Sequence, residues 1–121
     1  MVTGRPGSAA ILAPVTGESP LSWSTEAFGP ALRAALAARG MSFRDLESRC
    51  LVPVGNLHGH ASGKRSAPGD DLLQRIAAGL GVEPAYFREW RERRLVEALR
   101  RAPEVEIELS RRVAEGRLRL D

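Results

Sequence analysis

The chain has little of several features that define common protein classes. Cys50 is its only cysteine, so no disulfide can form within the chain, and a fold stapled by internal disulfides is excluded. No apolar run approaches the roughly 20 residues that a membrane-spanning helix needs, and the first residues show no convincing signal-peptide pattern. These absences predict a cytoplasmic protein without a membrane partner.

Lysine and aromatic residues are also scarce. Lys64 is the only lysine among 18 lysine and arginine residues, and aromatic residues make up 5% of the chain. Arginine donates bidentately to phosphate and carboxylate groups because its guanidinium is planar. The net charge is nevertheless only +3, whereas committed nucleic-acid binders are often more basic. A length of 121 residues allows one small domain with a tail.

Motifs for catalysis, cofactors and metals are missing too. The chain has no Walker loop and no G-x-G-x-x-G fingerprint, and Cys50 has no obvious neighbouring base to activate it. His58 and His60 stand two residues apart, which on a helix points them about 200° apart, whereas ligands on one helix usually stand four apart. We therefore expect no enzymatic activity, no cofactor and no metal site.

What the chain does contain is a series of helical patterns without a convincing strand, so the predicted fold class is all-α. Gly29-Pro30 is expected to delay or kink the first helix, and Gly40 to stop it. Ser42 and Asp45 form a capping box for the second helix. The predicted helices are residues 25–39, 42–49, 53–61 with Pro53 first, 71–80 capped by Asp70 or Asp71, 84–102 opened by Pro84, and 104–116.

Three stretches carry a resemblance to a known family: RGMSFRDLESRC at 39–50, GKRSAP at 63–68 and LLQRIAAGLGVEPAYFREWR at 72–91. Together they resemble the XRE (Cro and lambda-repressor-like) helix-turn-helix domains. The resemblance implies a five-helix bundle over residues 25–101, preceded by a flexible arm over 1–24 and followed by a short helical extension over 102–121. It also implies that residues 53–61 form the recognition helix, which lies in the DNA major groove.

The resemblance implies a set of DNA-contacting positions. With Leu57 turned inward, helical geometry places Gly55 and Gly59 on the outward face, where family members usually carry base-reading side chains. Glycine has no donor or acceptor for a base edge, so the recognition helix is degenerate. The expected phosphate contacts are Arg44, Lys64 and Arg65, and the expected base contacts come from Val54, Asn56 and His58.

Three residues depart from the family pattern. Glu47 stands where a small residue is preferred, Leu51 where a turn glycine is usual, and His60 where an apolar core residue is usual. A buried unpaired carboxylate would be costly. We therefore hypothesise that Glu47 and His60 pair and compensate each other.

Two functions remain open from the sequence. The first is a transcription regulator that binds double-stranded DNA with modest sequence readout. The second is a protein-interaction module that keeps the helix-turn-helix scaffold but has lost specific DNA binding, with a protein as its partner. In either case the apolar residues of the C-terminal helices are candidates for a homodimer interface: Trp90, Leu95, Leu99, Ile107 and Leu109.

Overall fold

A computed structural model describes residues 20–118, and within that range every regular element is helical. The all-α prediction is therefore confirmed. The predicted arm lies mostly in residues 1–19, outside the described range. The elements are α1 (Phe28–Arg39), α2 (Phe43–Cys50), α3 (Val54–Ser62), α4 (Asp70–Leu80), a 3-10 turn (Pro84–Tyr86), α5 (Arg88–Arg100) and α6 (Pro103–Ala114).

Glycine and a capping box set several helix ends as predicted. Gly40 and Gly81 end α1 and α4 with φ of 62° and 74°, a left-handed conformation that glycine adopts without the Cβ clash. Ser42 begins α2: its hydroxyl accepts from the Asp45 amide, and its own amide donates to the Asp45 carboxylate. Because the Ser42 backbone and hydroxyl bond that carboxylate, the pKa of Asp45 is below its ordinary value.

Three predicted helix starts are wrong, the first because Pro53 is the N-cap residue of α3 and not its first residue. Neither Asp70 nor Asp71 caps α4: Gly69 is the N-cap residue, and both aspartates lie in the first turn, where their charge complements the helix dipole. Pro84 does not open the fifth α-helix either. It begins a 3-10 turn that ends at Phe87, whose extended backbone separates the turn from α5. Phe87 is fully buried at this break.

The chain divides into two compact units, Met1–Trp90 and Arg91–Asp121. In the first, α2 packs on α4, and α1 and α2 both pack on α3. The core is formed by fully buried aliphatic and aromatic side chains, and Trp90 packs against it from α5. The largest are Leu32, Leu46, Val52, Leu57, Leu73, Ile76, Leu80 and Phe87.

The contact between α1 and α3 is unusually close at Gly29. A methyl group on Gly29 would lie 2.4 Å from the carbonyl oxygen of Ala61, a backbone atom that cannot turn aside. Gly29 is thus required for packing. The helix begins at Phe28, three residues after the predicted start at residue 25, and it includes Gly29 and Pro30. Pro30 is accommodated in the first turn, where its missing N–H has no intrahelical partner to lose.

The described part of the second unit, residues 91–118, contains most of α5 and all of α6. No residue of either helix is buried, and several large apolar side chains are exposed: Leu95, Val96, Val105, Ile107 and Val113. Ion pairs run along the surface of α6, where Glu108 pairs with both Arg111 and Arg112 at 3.0 Å. Across residues 20–118, no helix has the length and apolar character needed to cross a membrane.

Candidate nucleic-acid interface

A three-residue turn, 51–53, joins α2 to α3. Its first residue, Leu51, has a φ of 60° and is the one non-glycine residue with positive φ in the described range. The turn therefore needs the left-handed conformation that the usual glycine supplies without strain. Arg75 of α4 stabilises the turn, because its guanidinium donates to the carbonyl oxygens of Cys50 and Leu51 at 2.8–3.2 Å.

Glu47 does not pair with His60, so that hypothesis is wrong. The Glu47 carboxylate accepts a hydrogen bond from the Val54 amide at 3.2 Å, and it thereby caps the start of α3. Pro53, the N-cap residue, provides no side-chain hydrogen bond of its own. His60 turns to the loop after α3, where its Nδ1 lies 2.6 Å from the carbonyl oxygen of Ser66. A carbonyl oxygen only accepts, so Nδ1 carries the proton.

The inward face of α3 is the predicted one. Leu57, His60 and Ala61 are buried against the core, and the ring of His60 meets the edge of Phe28. This packing fixes the rotation of α3 about its axis. The opposite face is consequently turned away from the first unit's core.

The outward face carries the residues expected to read bases, in varied surroundings. Gly55 is fully open, with no atom within 4 Å of the position a methyl group would take. Val54 and Asn56 are half-buried. His58 is exposed but stacks on Phe43 of α2, with ring centroids 4.1 Å apart. The stack joins α3 to the first turn of α2, and Arg44 is the next residue of that turn.

Gly59 departs from the expectation of a bare face. A methyl group there would lie 2.9 Å from Cδ of Arg65 and 3.1 Å from its Cγ and Nε. The stem of Arg65 therefore crosses α3 at Gly59, in the space that a side chain would otherwise fill. The backbone supports this course, because the Arg65 amide donates to the Gly59 carbonyl oxygen at 3.0 Å.

The arginine and lysine side chains fall into distinct groups. Arg39 donates to the carbonyl oxygens of Leu80 and Gly81 at the end of α4, much as Arg75 does at the end of α2. Arg44, Lys64 and Arg65 are exposed, and their charged groups make no hydrogen bond or ion pair with any residue in 20–118. The three cations expected to meet phosphate are thus available to an anion.

Metal-ligating side chains do not converge in the part of the chain that the structure describes: no group of three His, Cys, Asp or Glu residues is present there. Cys50 is buried beneath α4, where Gly79 allows its Cβ to approach. His58 and His60 face opposite sides of α3, as their spacing predicts.

Sequence reasoning missed Arg75, which shapes the site without belonging to its surface. Nothing in the local pattern separates Arg75 from other exposed helical arginines. Every helix end leaves carbonyl groups without a partner. At the end of α2 these groups lie beside a turn without glycine, and they are the signal that could have indicated a donor such as Arg75. Comparison with known proteins supplies no precedent, since no family model, curated protein or solved structure matches the chain.

Proposed function

We propose that α2, the 51–53 turn and α3 form a helix-turn-helix unit of the XRE type, and that the protein is a cytoplasmic transcription regulator that binds double-stranded DNA. In this proposal residues 25–101 form the five-helix lambda-repressor-like domain, and α3 enters the major groove. Support comes from the tight turn and from the way Leu57 packing directs the opposite face of α3 outward.

The observation that carries the proposal is the set of unpaired cations beside an uncharged helix face. Residues 54–62 contain no Asp, Glu, Lys or Arg, so nothing on α3 repels a phosphate backbone. Lys64 and Arg65 follow its C-terminal end, and Arg44 lies on α2 next to the Phe43–His58 stack. Cationic side chains beside a helix that lies in the major groove bind the DNA phosphates. These contacts give affinity and set the orientation of the protein on the duplex.

The experiment is fluorescence anisotropy of a random-sequence duplex, titrated with the full-length protein at several salt concentrations. We expect binding at low salt that weakens linearly in log–log form as salt rises. Lys64→Ala should reduce the slope by about 1, the value for one lost phosphate contact. Arg112→Ala removes the same charge from α6 and should leave the slope unchanged. Absence of binding at low salt, or an equal effect of both variants, would contradict the proposal.

A second candidate rests on a different observation, the unburied apolar residues of α5 and α6. Such a surface fits a protein-interaction module, with a homodimer as the simplest case. Of its candidate residues, Leu95 and Ile107 are more than half exposed, Leu99 and Leu109 are half-buried, and Trp90 serves the core of the first unit. Sedimentation equilibrium tests the homodimer: Leu95→Glu should convert a dimer to a monomer, and a wild-type chain that is monomeric at all concentrations would rule the homodimer out.

A further inference from the structure

We infer that Arg65 supplies the base-reading group that α3 itself lacks, and that Gly59 is the platform that places it on the groove-facing side. This inference rests on the proposed function and deepens it: the ligand is a duplex with a guanine opposite the Gly59 end of α3. It gives Arg65 a specific role beyond electrostatic anchoring.

The side chain of Arg65 lies across α3 at Gly59. The Cγ, Cδ and Nε atoms all lie 2.9–3.1 Å from the position of a methyl group on Gly59. A Cβ at Gly59 would be too close to Cδ and tightly packed against Cγ and Nε, so the flexible Arg65 stem would have to shift if a methyl group were added. The guanidinium therefore starts from above the outward face of α3 and does not extend from the loop into solvent on its flank.

The backbone from which the Arg65 side chain begins is anchored to α3. Gly63 ends α3 with a φ of 85°, which reverses the chain. The Arg65 amide then donates to the Gly59 carbonyl oxygen, and the next residue, Ser66, accepts from His60. Both sides of Arg65 are thus tied to α3. A side chain that begins from a fixed backbone needs less ordering when it binds.

The guanidinium at the end of the Arg65 side chain can bind a ligand. The guanidinium of Arg65 has no partner among residues 20–118, so its donors are available. Its planar fork matches the O6 and N7 acceptors that guanine presents in the major groove, which is the commonest specific protein–DNA contact. Gly55 and Gly59 offer no donor, and the His58 ring is stacked on α2. The Asn56 amide presents one donor group and one acceptor, which suits adenine and not guanine.

The test begins with selection of preferred duplexes from a random pool by the full-length wild-type protein. We expect enrichment of guanine at one position. Replacing that guanine by 7-deazaguanine removes only the N7 acceptor, and we expect it to weaken wild-type binding about tenfold, the lower range for one bidentate contact. Arg65→Ala removes every donor of this side chain, so it should bind the guanine and 7-deazaguanine duplexes equally, whatever overall affinity it loses.

Gly59→Ala provides an independent variant, because its methyl group displaces the Arg65 stem without removing the arginine. It should lose the guanine preference as Arg65→Ala does, while circular dichroism shows that the helical fold is kept. Lys64→Ala should instead weaken binding to selected and scrambled duplexes by the same factor and retain the preference.

The outcomes separate this inference from the proposed function. Wild-type protein that binds no duplex at low salt overturns both. Salt-dependent binding without guanine enrichment, or an enrichment that survives in Arg65→Ala, leaves the DNA-binding proposal standing and overturns the readout by Arg65. A guanine preference that is lost when Arg65 is substituted but kept in Gly59→Ala overturns the platform role of Gly59.

Discussion

The carboxylate of Glu47 on α2 accepts the amide hydrogen of Val54, the first residue of α3, at 3.2 Å. The two helices of the proposed DNA-binding unit are therefore joined by a side-chain cap as well as by the turn. An acidic residue is suited to this position because the start of a helix carries unpaired N–H groups and a positive dipole end. Glu47, which departs from the pattern of the family that the sequence resembles, is thus explained by its hydrogen bond to the backbone of α3.

We expect Glu47→Ala to lower the free energy of unfolding by about 1 kcal/mol, as for the loss of other helix caps. His60→Leu removes a different bond, to Ser66, so the two substitutions should be additive. Urea denaturation of the wild type, both single variants and the double variant measures this. A coupling energy above about 0.5 kcal/mol would show that the two side chains interact after all.

Leu51 makes the turn between α2 and α3 strained. A left-handed non-glycine residue costs about 1–2 kcal/mol, whereas glycine there costs about 0.5–1 kcal/mol in additional unfolded-state entropy. The side chain is 76% exposed, so its removal loses little packing. Leu51→Gly should therefore raise the free energy of unfolding by about 0.5–1 kcal/mol.

Leu51→Ala is the matched control for that change. It shortens the same exposed side chain but keeps the Cβ that causes the clash, so its thermal midpoint should not rise. Equal stabilisation by alanine and glycine would show that exposure of the leucine, and not backbone strain, is what destabilises the turn.

Gly29 and Gly55 are each the second residue of a helix, yet alanine should affect them in opposite ways. At Gly29 a methyl group meets the Ala61 carbonyl oxygen at 2.4 Å, and overpacking of this kind costs about 1–3 kcal/mol. At Gly55 it meets nothing, so Gly55→Ala should stabilise by up to about 1 kcal/mol through helix propensity. Thermal unfolding of the two variants measures both effects, and destabilisation by Gly55→Ala would contradict the open environment.

Local signals predict much of this fold. The left-handed glycines after α1 and α4, the Ser42–Asp45 box and the inward position of Leu57 all follow from patterns within a few residues. The start of α5 does not, because Pro84 can begin either an α-helix or a 3-10 turn, and in this chain it begins the 3-10 turn.

The candidate site is less predictable, because its determining contacts join residues that no local pattern connects. The role of Gly29 depends on Ala61, 32 positions along the chain. Glu47 and His60 are predicted to pair because both sit toward the joint between α2 and α3, whereas each bonds a backbone group instead. Gly59 was expected to be bare, since a sequence does not show which neighbouring side chain will cover a glycine.

Tyr86 gives the protein a defined response to alkaline pH. Burial raises the pKa of its phenol, the charge of Glu26 adds to the rise, and its hydroxyl donates to the Ala31 carbonyl oxygen at 2.8 Å. Because the folded-state pKa lies above the unfolded value, the stabilisation is complete below about pH 10 and is lost as the pH rises through the folded-state pKa.

Tyr86 is the only tyrosine, so the ultraviolet absorbance of tyrosinate follows its titration directly. Tyr86→Phe should unfold about 1 kcal/mol more easily at neutral pH, since the hydrogen bond is lost, and the difference from wild type should shrink at alkaline pH. A phenol that titrates at its ordinary pKa in the folded protein would contradict this account.

DNA binding by α3 is measured most directly by amide chemical-shift mapping. Isotope-labelled, full-length protein is titrated with a short random-sequence duplex at low salt. The proposed function predicts that the largest shifts fall at Arg44 and along residues 54–65, and that they reverse when salt is added. Shifts concentrated in residues 91–118, or none at low salt, would show that α3 is not a DNA-binding surface.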